Sequence, residues 1–188
     1  MMKIGLVYFS NTDVTGRLMS AVKAELLAGN ANVVDYKISG EEIIKGRFIN
    51  NQLFKNLHEC RAIIFGSPTY MGGVAAQFKA FADATSDFWS NQKWADKIAA
   101  GITSGTGLNG DQSSTLHYLT VLASQHGMVW VGLDTPYNNS SEGINRLGCQ
   151  VGVTACSTDG VVDGADLKSA QSLARRVLKI AGAINHET

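Results

Sequence analysis

Five short apolar runs, each followed by a stretch with helical spacing, constrain this chain more than any other feature. They are Lys3 to Phe9, Asn32 to Lys37, Arg61 to Ser67, Lys97 to Ser104 and Met128 to Leu133. Between the first two, Val14, Leu18, Val22 and Leu26 recur every four residues, one face of a helix, and Gly29-Asn30 stops it. Phe78, Phe81 and Ala82 mark a second helix, and Leu116, Leu119 and Leu122 a third that ends at His126-Gly127. Leu167, Ala170, Leu173, Val177, Ile180 and Ile184 mark the last. Glu41 to Leu57, with Gly46 inside it, reads as helical or irregular.

Strands that alternate with helices predict a parallel sheet covered on both faces and joined by right-handed crossovers. The expected class is therefore α/β, a three-layer sandwich on a five-stranded parallel sheet. The 188 residues, 45% of them apolar, suit one domain spanning 1–188 with a sizeable core. The interval Asp134 to Gly148 breaks the pattern. It is polar and rich in Asn, Ser and Gly, and connections of that length are often functional.

Charge and cysteines narrow the function. Sixteen basic and 16 acidic residues cancel, and no basic stripe of the kind a nucleic-acid binder carries is visible. Every apolar run falls far short of the roughly 20 residues a membrane span needs. Met1-Met2 leads straight into the first strand, leaving no room for a targeting peptide. Cys60, Cys149 and Cys156 are odd in number and show neither framework nor Cys-x-x-Cys spacing, so they read as reduced thiols in a cytoplasmic protein. No paired-His spacing suggests a metal site.

In an open parallel sheet, ligands bind outside the carboxyl ends of the strands. Three loops fall on that edge. The first, Ser10-Asn11-Thr12-Asp13-Val14-Thr15, joins a buried strand to a helix start. Such a turn aims free backbone N–H groups outward, where the helix dipole adds partial positive charge. The hydroxyls of Ser10, Thr12 and Thr15 add donors, and each hydrogen bond to a charged group contributes about 1.5–3 kcal/mol. The loop suits a terminal phosphate monoester, although a plain helix cap would use the same residues. Asp13 is expected to face solvent, since it would repel a phosphate.

The second loop runs through Pro68, Thr69, Tyr70, Met71, Gly72 and Gly73. Its glycines allow close approach of a flat ligand, and Tyr70 can stack on a ring or stand as a half-exposed turn residue. The third, Ser104, Gly105, Thr106, Gly107, Leu108, Asn109 and Gly110, holds a G-x-G-x-x-G after a strand and before a helix. Alone this spells a dinucleotide fingerprint, but the fingerprint normally occupies the first strand–helix turn. The other reading is a backbone-lined wall for the edge of a ring.

With these loops in view, the chain resembles the flavodoxin superfamily and, within it, the WrbA-type NAD(P)H:quinone oxidoreductases. S-N-T-D-V-T, from Ser10 to Thr15, is similar to the flavodoxin phosphate motif T/S-x-T-G-x-T, with Asp13 in place of the glycine. FGSPTYMGGVAAQFKAFADATSDFW, from Phe65 to Trp89, is similar to that family's G-[ST]-P-T-x-x-G stretch and the helix after it. Lys97 to Gln112 matches its next strand and loop less closely, and Gln125-His126-Gly127-Met128 resembles its His-His-Gly-Met with Gln125 for the first His. Beyond Leu133, Asn145-Arg146-Leu147-Gly148 departs from the WrbA pattern.

The resemblance implies strand order 2-1-3-4-5, FMN phosphate on Ser10 to Thr15, and a flavin ring between Thr69, Tyr70, Met71 and Ser104 to Asn109. It implies hydride taken from NAD(P)H, two electrons passed to a quinone-like acceptor, and a homo-oligomer, dimer or tetramer. Trp89 would lie on the substrate side, with a core role as the alternative. His126, at a helix end where its charge suits the dipole, reads as structural, or as a residue that reaches a neighbouring subunit's site. Arg17 reads as a surface ion-pair partner. No acid–base dyad or other catalytic side chain is expected, because the flavin carries the chemistry. The rival reading is a flavodoxin-type electron carrier. The 134–148 loop would shape the acceptor pocket or a subunit contact.

Overall fold

The structure is a computed structural model that describes residues 1–137 and 141–184. Asn138, Asn139 and His186, the first two on a glycosylation-like spacing, lie outside the described residues.

In chain order the elements are β1 (Lys3–Tyr8), α1 (Val14–Ala28), β2 (Asn32–Lys37), β3 (Ile43–Ile44), β4 (Arg47–Phe48) and α2 (Asn51–His58). Then follow β5 (Ala62–Tyr70), β6 (Gly73–Val74), α3 (Ala76–Ala84), α4 (Ser86–Trp89), β7 (Ile98–Gly105) and α5 (Gln112–Gln125). The chain closes with β8 (Val129–Trp130), β9 (Val153–Cys156) and α6 (Gly164–Ala183).

The main sheet runs β2-β1-β5-β7-β8, all pairs parallel, so the five expected strands stand in the expected spatial order. The expected count of five is corrected to seven. β6 folds back antiparallel on β5, and β9 pairs parallel with β7. The fifth strand is divided: β8 covers only Ile98 and Ala99, and β9 returns beside Ile102 to Gly105. The chain from 131 to 152 is thus an insertion within one strand position. Leu133 N–H donates to Gln150 O (2.9 Å) and Trp130 Nε1 to Val151 O (2.8 Å), closing its neck. The interval 41–57 resolves into the β3–β4 hairpin and α2.

Strand alternation divides the core. Ile4, Leu6, Ala62, Ile64, Ile98, Ala100 and Ile102 pack on one face with α1 and α6. Val7, Ile63, Phe65 and Ala99 pack on the other with α2, α3 and α5. Period-2 alternation on a doubly covered sheet makes each strand read as a continuous apolar run. The second face is aromatic: Phe81 sits 5.7–5.8 Å from Phe48, Phe54 and Phe78. This packing holds the carboxyl ends of β1, β5 and β7 side by side, and those ends carry the site.

Candidate functional site

Loop 10–15 leaves β1 and enters α1 through Asp13 at φ 67°, left-handed backbone. Asp and Asn tolerate that region better than other non-glycine residues, which explains how Asp13 fills a position where the resembling motif has glycine. Its carboxylate caps nothing and is exposed, 3.7 Å from Arg17 Nε. Ser10 and Thr15 are buried. Ser10 Oγ accepts from Gly16 N–H (3.0 Å), and Thr15 Oγ1 bonds Ser104 Oγ (2.8 Å), tying the first loop to the third. That hydroxyl pair shares one of its two hydrogens, so one O–H is left for another acceptor. The N–H groups of Asn11, Thr12, Asp13, Val14 and Thr15 find no partner among the described residues.

The second loop is a hairpin. Thr69 pairs with Val74 and Tyr70 with Gly73, so Met71 (φ 50°) and Gly72 (φ 77°) form a two-residue turn with both φ positive. Such turns match strand twist, and glycine is the ordinary choice. Met71 is fully exposed there, and Tyr70 is 42% exposed. Thr69 Oγ1 is held inward by Thr103 and Thr115 hydroxyls, both at 2.8 Å. Ser67 Oγ, accepting from Ala75 N–H at 2.9 Å, anchors the hairpin to α3.

In the third loop the glycines serve one another. A Cβ on Gly110 (φ 49°) would lie 3.0 Å from Gly107 O, and Gln112 Nε2 donates to that same carbonyl at 3.1 Å. Gly105 belongs to β7 and pairs with Cys156. The G-x-G-x-x-G therefore builds a compact strand-to-helix turn, which leaves the dinucleotide reading without a role for its first glycine.

A pocket of about 130 Å³ unites the three loops, lined by Thr12, Val14, Pro68, Thr69, Tyr70, Ser104, Gly105 and Thr106. Ser157 is the further lining residue that sequence reasoning missed. It follows β9, and its N–H donates to Gly105 O (3.0 Å). The alternating Val151-Gly152-Val153-Thr154-Ala155 was its one available signal. Among the described residues no carboxylate, ammonium or guanidinium lines this pocket. Asn11 and Asp13 flank it, exposed, while Met71, Gly72, Gly107, Leu108 and Asn109 lie outside its lining. Leu108 and Asn109 instead line a larger cavity of about 630 Å³ on the far side of the third loop.

Trp89 and His126 lie at the opposite edge. Gln92 Nε2 donates to Gln125 O (3.0 Å) and Asp96 N–H to Gly127 O (3.0 Å), which packs segment 89–96 against the amino ends of β7 and β8. Trp89 is 48% exposed there. His126 is 1% exposed, its ring centroid 4.7 Å from that of Trp94. Thr85 Oγ1 donates to Ala82 O (2.7 Å), so the 2.7 Å contact with His126 requires Nε2–H to donate to Thr85. His126 Nδ1 is then a buried, unpartnered acceptor, and burial lowers the imidazole pKa. The expectation that His126 meets a substrate is corrected: the ring has no surface to present to its own site or a neighbour's.

Three loops at the carboxyl ends of a 2-1-5-7-8 sheet, enclosing donors that lack partners, define a flavodoxin-like nucleotide-binding protein. The chain belongs to the NADPH-dependent FMN reductase family, whose match covers residues 2–140, and this makes it a flavin-dependent oxidoreductase. It is 37% identical to flavodoxin FldP of Pseudomonas aeruginosa over 96% of this chain and 97% of that one. It is 32% identical to an NAD(P)H dehydrogenase (quinone) of Archaeoglobus fulgidus, over 88% and 79%. A solved WrbA-like flavodoxin from Agrobacterium tumefaciens superposes at TM-score 0.76 with 34% identity, over 98% and 100%.

Proposed function

We propose that this chain, as one domain spanning 1–188, binds FMN and transfers two electrons from NAD(P)H to a quinone-like acceptor. One observation carries the reading: five successive N–H groups without partners, at residues 11 to 15, border a pocket shared by all three loops. Free N–H groups gathered at a helix start, where the dipole adds partial positive charge, form a cradle that fits an anion whose oxygens can accept from it. Thr12 Oγ and the spare hydrogen of the Thr15–Ser104 pair are the side-chain donors for a phosphate. Pro68 to Met71 and Ser104 to Thr106 are placed to flank a flat ring, with Tyr70 as a stacking face. FMN, when bound, supplies the electron-accepting chemistry, and the protein's share is binding, orientation and exclusion of water. The net change is NAD(P)H, a proton and a quinone going to NAD(P)⁺ and a hydroquinone.

The free thiols and the lack, among the described residues, of a helix long and apolar enough to cross a membrane support a cytoplasmic setting. Trp89 can serve a pocket only if a second copy brings it there, and that is the use we assign to the expected oligomer.

The test is NADPH and NADH oxidation by FMN-loaded protein, with and without a quinone, under anaerobic conditions. Rapid oxidation dependent on the quinone is expected. A chain that fails to take up FMN ends the proposal. The 37% identity to a flavodoxin over nearly the whole chain favours one rival, an electron carrier. A carrier would bind FMN yet leave NAD(P)H untouched without a partner reductase.

A further inference from the structure

α6 turns its apolar side, Leu173, Ala174, Val177 and Ala181, into the core. A second row runs beside that side. Ser172, Arg175, Arg176, Lys179 and Ile180, spaced by three and four, line with Asp134 a cavity of about 440 Å³. The volume falls within the roughly 300–1,000 Å³ of small-molecule sites. At 1.5 Å per residue, Arg176 stands about 18 Å along α6 from Gly164, down the helix from the edge where the three loops meet. No residue of this cavity lines the pocket of the three loops.

The row is short of carboxylates. Arg176 Nη1 stands 2.6 Å from Asp134 Oδ2, and Arg175 Nη1 3.3 Å from Glu25 Oε1 of α1. Lys179 has no ion-pair partner among the described residues. Three cations thus meet one carboxylate in the lining, and the sum stays positive with Glu25 counted. Arg175 and Lys179 are like charges four apart on a helix, an arrangement that destabilises it unless an anion lies between them. None of the three stands in the last turn of α6, where the helix dipole would account for a cation. Donors are also left unused: Arg176 Nε is buried without a partner.

Asp134 is held where it stands. Thr135 O, next in the chain, accepts from Asn145 Nδ2 (2.9 Å). Arg146 forks its Nε and Nη2 onto Asp166 at 2.8 and 2.7 Å, and this bidentate pair pins the insertion to α6. Asp134 therefore steadies Arg176 from the insertion, while Arg175 and Lys179 remain exposed.

The lining chooses the ligand class. Among the described residues no aromatic ring lines the cavity to stack a base, and Ile180 is its one apolar side chain. Two guanidinium forks beside an ammonium and a hydroxyl suit the oxygens of a phosphate. We infer that this cavity is a second anion site, independent of the flavin, that binds a phosphate group as the free ion or on a small ester.

The test reads Lys179 itself, so it needs neither bound FMN nor turnover. The full chain is acetylated with sulfo-N-hydroxysuccinimide acetate, and the rate at each lysine is followed by peptide mass spectrometry. Chloride is exchanged at constant ionic strength for inorganic phosphate or glycerol 2-phosphate, and a third arm adds phosphatidylglycerol vesicles. Lys55, exposed on α2, is the internal control. Inorganic phosphate should slow Lys179 acetylation at least threefold and leave Lys55 unchanged. Equal protection by glycerol 2-phosphate assigns the site to esters as well, and protection by inorganic phosphate alone confines it to the free ion. Arg175→Gln with Arg176→Gln should abolish the protection, whereas Thr12→Val with Thr15→Val, in the first loop, should leave it intact. Arg175→Gln alone, at an exposed position, should at least halve it should the double variant not fold. Lys179 slowed no more than Lys55, protection that survives the arginine variants, or protection by the vesicles alone overturns the inference.

Discussion

Among the helices that start at the carboxyl edge of the sheet, α1, α2, α5 and α6 start in two different ways. α2 and α6 are conventionally capped: Asn50 Oδ1 accepts from Leu53 N–H (2.9 Å), and Asp163 Oδ1 from Ala165 N–H (2.8 Å). α1 and α5 are each preceded by an aspartate in left-handed backbone, Asp13 at φ 67° and Asp111 at φ 52°, and neither carboxylate caps its helix. The uncapped ones border the 130 and 630 Å³ spaces. A helix in the first group satisfies its terminal N–H groups within the chain. In the second group α5 gives Gln112 N–H to Asn109 O and Ser114 N–H to Asp111 O, whereas α1 keeps the N–H groups of Val14 and Thr15 without partners among the described residues, and that is the cradle proposed for the phosphate.

The largest effect that would break this contrast is loss of the α1 donors. Thr12→Val with Thr15→Val removes two hydroxyls and keeps shape, so FMN affinity should fall by about 3–6 kcal/mol, on the order of 10² to 10⁴ in Kd. Fluorescence titration of the apoprotein measures it, and unchanged affinity would remove the phosphate from this loop. At the capped end the expected cost is in stability instead. Asp163→Ala should lower the unfolding free energy by about 0.5–2 kcal/mol and leave the FMN Kd within twofold. A Kd that moved with it would show the two kinds of start are not independent.

A smaller effect separates the two edges of the sheet. Burial lowers the His126 pKa, so the unfolded chain takes up this proton at a higher pH than the folded one. Stability from this group is present above the unfolded value of about 6.5 and is lost as pH falls through the lower folded value. Urea midpoints between pH 7.5 and 5 should fall in the native chain and flatten in His126→Gln. NADPH turnover at pH 7.5 should be the same in both, and a large loss in the variant would return His126 to the site. Smallest is Asp13→Gly, which relieves left-handed backbone and removes a carboxylate beside the phosphate cradle. FMN binding should hold or tighten, with stability within about 1 kcal/mol. Weakened FMN binding would mean that the Asp13 carboxylate, and not its backbone, serves the loop.

Strand runs and four-residue spacings were enough to read the α/β class and the three loops, while the order of the strands came from the family resemblance. Period 2 and period 3.6 are local properties of burial, so a single pass along the chain exposes them. The ties that a residue makes to distant partners were not legible. Thr15 reads as a free donor until Ser104, 89 residues away, is seen to share one hydroxyl hydrogen with it. His126 reads as structural or as reaching a neighbouring subunit's site, and only Trp94 and Thr85, packed against its ring, favour the first. The Met71-Gly72 turn was hidden because methionine occupies a position where asparagine or glycine would have announced it.

By itself, then, the sequence determined where the chain turns, which faces are apolar, and that the ends of β1, β5 and β7 carry hydroxyls and glycines. Tertiary structure alone decided that the fifth strand is divided, that Ser157 joins the pocket, and that Arg146 clamps the insertion onto Asp166. The physical reason is sequence separation. Backbone preference and periodicity act over a few residues, whereas β9 pairing with β7 and the Arg146–Asp166 fork form only once the sheet has set their partners side by side.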